Sequence, residues 1–595
     1  MFSKFIRGYM LMKSYIFICF SLLFFSSLCG TSITERTAYP AFCQSAALNE
    51  KIFRSFKRNA IYREVLEHVP YKSGLEYLNI IIKEYPDLLP YFDKFRENDR
   101  LGSPVTYSYG GYGVFSPTTL RYIKTAGDIR KKMGDVSQLH IVEIGGGYGG
   151  QCVIFSALGF ASYTLIDLPE AIALSKKYLG RLGIQNVFFM DSTQVNDLNT
   201  YDLVISNYAF SAIDKSEQID YFEKIIKNTP KGYLLLNFIS HHFNLDSLSL
   251  DEIVSMLYHA GRSGKAEKEK PNTHADNMLV TWRATREYSV DIDPLHPTYD
   301  ASTKINPIGY EFSGGRFGDN LISFFHAKWI AYKYQLPFLY SPFQFSDQLA
   351  LHEKDPSLTS FHFDRTIVTS DEEQISQEPQ NSTAIIIPHI PECAVDYASL
   401  PAGALPYIKV DWEDPNFRAE LVKCLTPKAS INTLSLPLGY ITVGVHVRKG
   451  GGHDNYEFAR RQWPLKFPPD DYYIKQIERI ATIFKDSPLY VHIFTDDLNP
   501  QNIVEKYKTF FKNRNITFAC RNKGNGPDVN IFEDFFSMIK FDCFIRSQSG
   551  YSTIASHLAQ HSLAIAPLNY SLINNEVVIN EIEIIFRNHG EVHSN

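Results

Sequence analysis

The chain has 595 residues, too many for a single hydrophobic core, so several folding units are expected. With 44% hydrophobic and 21% charged residues, its composition excludes a disordered or fibrous chain. A net charge of −6 excludes the basic field that a nucleic-acid backbone needs, and eight scattered cysteines without a Cys-x-x-Cys pair argue against a structural zinc site or a disulfide framework.

Lys4, Arg7 and Lys13 precede an uncharged run from Ser14 to Thr34 rich in Phe, Leu and Ile. Residues 1–34 therefore read as a signal peptide or a membrane anchor, the second implying membrane association through residues 14–34. From about Pro40 to Asp99, apolar positions recur at helical spacing, as in Tyr77–Lys83 and Leu88–Phe92, and predict a helical cap. Short β-rich runs then alternate with amphipathic stretches, predicting strands at His140–Ile144, Tyr163–Asp167, Val187–Met190, Leu203–Ser206 and Tyr233–Ile239. The charged stretch Gly261–Lys270 reads as a loop, and Met278–Arg283 as one more strand. Residues 286–309, rich in Pro and Asp, read as a linker between a domain at 40–285 and another at 310–595. The second half opens with Gly314–Asn320 and a helix through Trp329, carries an acidic solvated loop at Asp371–Gln380, and alternates again after Tyr440. The fold class is α/β in both halves.

Gly145, Gly147 and Gly150 form a G-x-G-x-x-G pattern, with Gly149 inside it and Asp167 about 20 residues on. Such a loop lets backbone N–H groups approach either an NAD pyrophosphate or the methionine part of S-adenosylmethionine (SAM). Glu143 discriminates between them, because a carboxylate there repels a pyrophosphate and attracts a ligand bearing an ammonium and a sulfonium. Asp167 is placed for ribose hydroxyls. Asp191 is placed for the adenine amine or for a helix N-cap, and Asn207 and Tyr208 for donor or acceptor or for loop packing. A hydroxyl acceptor would be a poor nucleophile, and His241 and His242, just past the fifth strand, are the candidates for its base, with surface or core histidines as the alternative. An NAD-dependent oxidoreductase would need a Tyr-x-x-x-Lys set that Tyr208–Ala212 does not supply. The aromatic Tyr107–Gly113 reads as a pocket wall or a turn.

Six segments, Asn98–Pro104, Ser116–Ile123, Glu143–Gln151, Asp167–Pro169, Ser206–Phe210 and Gly232–Asn237, together resemble the sugar O-methyltransferase family over about Phe95 to Arg283. The resemblance implies a Rossmann-like class I methyltransferase domain using SAM on a sugar hydroxyl.

In the second half, Tyr440–Val445 leads into His446-Val-Arg-Lys-Gly450, placing Arg448 at a strand end as a planar fork suited to a diphosphate. Tyr490–Phe494 leads to Thr495-Asp-Asp497, a binding segment or a capped strand-to-helix turn. Asp542–Ile545 leads to the hydroxyl-rich turn Arg546–Thr553. With Pro468–Tyr473 and Gly314–Asp319, these blocks resemble the fucosyltransferase superfamily that shares a His-x-Arg motif. The resemblance implies a GT-B-like domain of two Rossmann-like halves and a GDP-sugar donor, GDP-fucose first, without a metal. It also implies that Arg448 binds the donor phosphates, that His446 orients the loop, that Asp496 or Asp497 contacts the nucleoside, and that Ser549, Ser552 and Thr553 line the phosphate turn. Lys449–Asp454 departs from the family's usual sequence after the arginine and leaves Asp454 as the candidate base. The combined expectation is a bifunctional glycan-modifying enzyme with an oligosaccharide acceptor, cytoplasmic or membrane-associated. The alternatives are an oxidoreductase in the first half or a non-catalytic glycan-binding protein.

Overall fold

The computed structural model describes residues 38–192, 195, 200–238, 246–283, 295–312, 314–390, 408–450, 455–512, 514–522 and 529–589. The leader at 1–34, His241, His242, Asp454 and the first part of the linker, 286–294, lie outside the described residues. Among the described residues, no helix is long and apolar enough to cross a membrane. The chain divides into two compact units, Met1–Ile253 with Ala266–Ala284, and Val254–Lys265 with Thr285–Asn595.

The first unit is built on strands β1 (His140–Ile144), β2 (Ser162–Asp167), β3 (Val187–Asp191), β4 (Leu203–Asn207) and β5 (Lys231–Asn237). Runs such as Ile141-Val142 and Leu203-Val204-Ile205 are fully buried, as parallel strands covered on both faces require. The order is β3-β2-β1-β4-β5, all parallel, with the strand Asn277–Arg283 antiparallel against β5. Strand order reverses between β1 and β4, which is where open α/β sheets open a crevice at their carboxyl ends. That edge carries Asp167 directly beside Asp191, and Asn207 at the end of β4. A complete dinucleotide-binding sheet would continue with a third parallel strand beside β5, and here the antiparallel strand takes that place.

The helical cap forms as Tyr39–Leu48, Tyr71–Glu84 and shorter turns, and its Phe56, Tyr62, Tyr77 and Phe95 are buried in the same core as the sheet. Helix Pro117–Met133 starts where the Ser116 hydroxyl accepts from Thr119 N and Pro117 occupies the first turn.

Two expectations are corrected. Ser263–Lys268, within the stretch read as a loop, is a strand in which Ala266 is buried and Glu267 pairs with Lys132 at 2.7 Å, so its charges are compensated. Within Asp371–Gln380, read as a solvated loop, Glu372–Gln377 is a helix: Asp371 Oδ1 caps Glu373 N and Gln374 N, and Ile375 is buried beneath it.

The second unit holds two parallel sheets. One is a three-stranded sheet of Ile308–Tyr310, Ala384–Ile387 and Thr366–Val368 in that spatial order. The other runs Ile516–Cys520, Leu489–Thr495, Ile441–Val447, Cys543–Ile545 and Leu563–Ile573, closed by antiparallel Glu576–Phe586. Helix Phe317–Tyr334 packs its apolar face into the core shared by both sheets. Cys43, Cys152, Cys424 and Cys543 are buried free thiols, and Cys520 is a half-buried one.

Candidate functional site

In the first unit the chain leaves β1 through a loop in which Gly145, Gly147 and Gly149 have φ of 77°, 56° and 89°. At Gly145 a Cβ would fall 2.0 Å from Ala209 Cβ, so only glycine allows the loop and the end of β4 to lie this close. Over the other side of the loop the cap closes in, since a Cβ on Gly147 would lie 2.8 Å from Leu66 Cδ1. Helix Gly150–Leu158 begins directly after the loop, its first N–H groups free of intrahelical partners and close to it.

Two carboxylates belong to this loop. Glu143, 2% exposed, lies beneath it, with Oε2 accepting from Tyr163 Oη at 2.8 Å and Oε1 facing Asn207 Nδ2 at 3.4 Å. Burial pushes its carboxyl up to about 7, opposed by those two hydrogen bonds. Asp167 accepts from Gly147 N and from Leu168 N, each at 2.7 Å, and so fixes the loop to the end of β2. Desolvation raises it to about 6 in spite of those donors. Asp191 is half-buried on the neighbouring strand end. Asn207 Oδ1 is buried and has no hydrogen-bond partner, an acceptor left waiting beside the Glu143 carboxylate.

A polar network that sequence reasoning did not assign holds the loop from below. Asn98 Nδ2 donates to Thr119 Oγ1 at 2.8 Å and to the loop residue Tyr148 at 3.2 Å. Asp99 accepts from Ser116 N, Ser116 Oγ and Thr119 Oγ1. Lys57, 1% exposed, donates to Asn98 O at 2.6 Å with its ammonium 4.1 Å from the Tyr148 ring centre. The segments Asn98–Pro104 and Ser116–Ile123 thus meet as the seat of Tyr148. Their signal in the sequence was the resemblance alone, because the partners lie 21 and 50 residues apart.

In the second unit one cavity is lined by Arg316, Asp319, His446, Arg448, Asp496 and Ser549, among others. Arg448 Nη1 donates to Ser549 Oγ at 3.3 Å, and its Nε lies 3.5 Å from Asp496 Oδ2. Asp496 Oδ1 accepts from Lys449 N, tying the His446–Gly450 segment to the end of the neighbouring strand. Burial, reinforced by the Arg448 and Arg316 charges, pushes His446 down to about 3. A neutral imidazole therefore sits in the cavity wall.

The other expected donor residues face elsewhere. Asp497 Oδ1 accepts from Asn499 N at 2.7 Å, and Asp497 N donates to Thr495 Oγ1, which makes Asp497 part of a capped turn. Ser552 Oγ donates to Ser547 O and Ser549 O, and Thr553 Oγ1 accepts from Arg546 at 2.8 Å; both are fully buried and absent from the cavity lining. They shape the turn from inside. Arg316 and Asp319 line the cavity although only their segment, not their side chains, had been singled out. Asp470 of the Pro468–Tyr473 block pairs with Lys449 at 2.9 Å and positions the segment that follows Arg448.

No family model matches the chain, and no curated protein matches it. Among solved structures it is similar to the ribosomal protein L11 methylase of Lactobacillus delbrueckii subsp. bulgaricus, at 12% identity over 28% of this chain and 80% of that one, TM-score 0.22. It is similar to an S-adenosylmethionine-dependent methyltransferase of Mesorhizobium loti, at 12% over 26% and 95%, TM-score 0.22. It is also similar to SAM-bound CalS10, an amino pentose methyltransferase of Micromonospora echinaspora, at 14% over 28% and 90%, TM-score 0.23. Likenesses this weak assign no residue a role.

Proposed function

We propose that the first unit is a SAM-dependent O-methyltransferase acting on a hydroxyl of a sugar or glycan. The observation that carries this is the pair of acceptors at the loop: Asn207 Oδ1, buried and unpartnered, and the Glu143 carboxylate beside it. Both accept hydrogen bonds and neither can donate to a phosphate once Glu143 is ionised. A ligand bearing an ammonium satisfies both; a pyrophosphate satisfies neither, which disfavours the NAD reading. SAM supplies an electrophilic methyl on its sulfonium. Asp167, held by Gly147 N and Leu168 N, keeps lone pairs for ribose hydroxyls, and Asp191 stands next to it for the adenine side. The cap excludes water above the loop through Leu66. Isothermal titration of the purified protein with SAM and with NAD tests the reading: micromolar SAM binding and no NAD binding are expected, and the reverse overturns it.

For the second unit we propose a nucleotide-sugar transferase with a GDP-sugar donor, GDP-fucose first. It rests on the convergence of Arg448, Arg316 and Ser549 on one cavity, where two guanidinium groups and a hydroxyl suit a diphosphate. GDP binding that Arg448→Ala weakens at least tenfold is the expected result, and undiminished binding removes Arg448 from the site. With a glycan acceptor for both units, the protein modifies glycans twice, in the cytoplasm or at a membrane. Failure to bind either donor would leave the non-catalytic glycan-binding alternative.

A further inference from the structure

At the carboxyl end of β4, Tyr208 has φ 68°, a left-handed backbone that a non-glycine aromatic residue adopts only under constraint. The constraint is visible. Tyr208 N donates to Leu235 O at 2.7 Å, and the next residue, Ala209, is the one pressed against Gly145. This backbone turns the Tyr208 side chain to the carboxylate of Glu269, to which its phenol donates a hydrogen bond through Oε1.

Glu269 is 3% exposed and comes from the turn that leads into the antiparallel strand Asn277–Arg283. Its two oxygens are used differently. Oε2 accepts from Thr273 Oγ1 at 2.6 Å, from Asn277 Nδ2 at 2.7 Å and from Thr273 N at 3.3 Å, so three donors hold the carboxylate in place. Oε1 has the Tyr208 phenol. The guanidinium of Arg121, 7% exposed, lies over the Tyr208 ring, with Cζ 5.7 Å from the ring centre. The groups facing the pair are Arg121 from helix Pro117–Met133, Tyr77 from helix Tyr71–Glu84 and Tyr233 from β5. Arg121 is the single cation among them. A hydroxyl, a carboxylate that orients it and a second set of donors that orients the carboxylate repeat the logic by which nucleophile, base and orienter are chained in acyl-transfer sites.

We propose that Tyr208 is the catalytic group that takes the proton from the acceptor hydroxyl, relaying its own phenolic proton to Glu269, the positioning residue behind it. The inference rests on the methyltransferase reading of the first unit. The step balances as follows. The acceptor oxygen forms a bond to the methyl carbon while the methyl–sulfur bond breaks and its electron pair returns to sulfur. The acceptor O–H proton passes to Tyr208 Oη as the Tyr208 proton passes to Glu269 Oε1, leaving a neutral carboxylic acid that later loses its proton to solvent. Arg121 stabilises the phenolate character that develops on Tyr208 during the transfer. The location fits the requirement, since the strained residue lies one position from the contact with the donor loop, at the sheet edge where the acceptor must meet the methyl group.

The test uses the full chain, Tyr208→Phe, Glu269→Gln and [methyl-³H]SAM with a panel of p-nitrophenyl α-L-fucoside, β-D-galactoside and β-D-glucoside as acceptors. Both variants are close isosteres, and SAM binding by calorimetry is measured on each. The expected result is SAM affinity within about threefold of wild type in both variants. Each variant should lose roughly 100-fold in kcat, the range that general base catalysis supplies. In addition, the Tyr208→Phe/Glu269→Gln double variant should lose no more kcat than either single variant, which two independent structural losses would not produce. Variants that bind SAM and keep kcat within about threefold of wild type, or a double variant whose loss is the product of the two single losses, overturn the relay and leave the methyltransferase reading standing. A wild-type protein that binds no SAM, or binds it and methylates none of the three glycosides, overturns the sugar-methyltransferase reading and the relay with it.

Discussion

Glu143 offers a quantitative handle on the nature of the donor. Burial lifts its carboxyl from 4.5 to about 7. A raised carboxyl means that the folded protein holds the proton more tightly than the unfolded chain, so stability is greatest below about pH 4.5 and falls as pH rises to about 7. The size of that loss is about 3 kcal/mol, at 1.36 kcal/mol for each tenfold change in proton affinity. Glu143→Gln abolishes it. A cation bound beside Glu143 reverses the effect of burial and favours the ionised form. At about pH 6 a group of pKa about 7 is roughly nine-tenths protonated, so binding SAM should expel just under one proton from it, falling to about a tenth of a proton at about pH 8. Calorimetry in two buffers of different ionisation enthalpy counts the protons directly. Asp167, raised to about 6, contributes to both proteins, so the difference between wild type and Glu143→Gln isolates Glu143. Equal proton counts in the two proteins, or proton uptake by the wild type, would refute the claim that this carboxylate faces a cationic ligand.

Other residues give shorter tests. Gly145→Ala places a Cβ 2.0 Å from Ala209 in a left-handed backbone and should cost about 2–4 kcal/mol, read as a lower Tm; an unchanged Tm would show that the loop and β4 are not in contact. Asp496→Asn should weaken GDP binding about tenfold or more. Asp497→Asn should cost about 1 kcal/mol or less of stability in urea melts and leave binding within twofold, because its carboxylate closes a turn. His446, pushed down to about 3, should give no titration between pH 5 and 8 in ¹⁵N-resolved histidine spectra, and a midpoint near 6.5 would contradict its burial between two arginines.

Elements that announce themselves by β-branched runs were legible in the sequence. The first strand falls at the predicted His140–Ile144, and the next three lie within one residue of prediction at either end. The fifth begins at Lys231 rather than Tyr233, because its opening Lys231-Gly232 carries no β signal. Gly232 is there to admit the Trp282 ring, which would lie 2.1 Å from a Cβ. Ser263–Lys268 was missed for a related reason: a strand of charged residues looks like a loop until its ion-pair partner, 135 residues away, is known. In the candidate sites, local patterns singled out residues in or next to the loops, Glu143, the glycines, Asp167 and Arg448. They did not separate Asp496 from Asp497, whose roles differ only through which backbone N–H each carboxylate meets.

The residues that sequence reasoning left out share a physical character: each acts through a partner on another element. Glu269 is one of them: the sequence offers Tyr208 for donor or acceptor, but its partner lies 61 residues on and neither type nor spacing marks the pair; the positive φ of Tyr208 does, and backbone strain has no sequence signature in a residue other than glycine. The same argument explains why ordered segments carried more information than any single motif. Buried Asn98, Ser116 and Thr119 form one network with half-buried Asp99 beneath Tyr148, and a buried polar group is tolerated only when its partners are kept with it. Replacing one member leaves the others unsatisfied at a cost of about 1–3 kcal/mol each, so the segments must persist together if the glycine loop is to hold its shape. The loop's shape is thus a property of the cap and the long helix beneath it as much as of its own glycines.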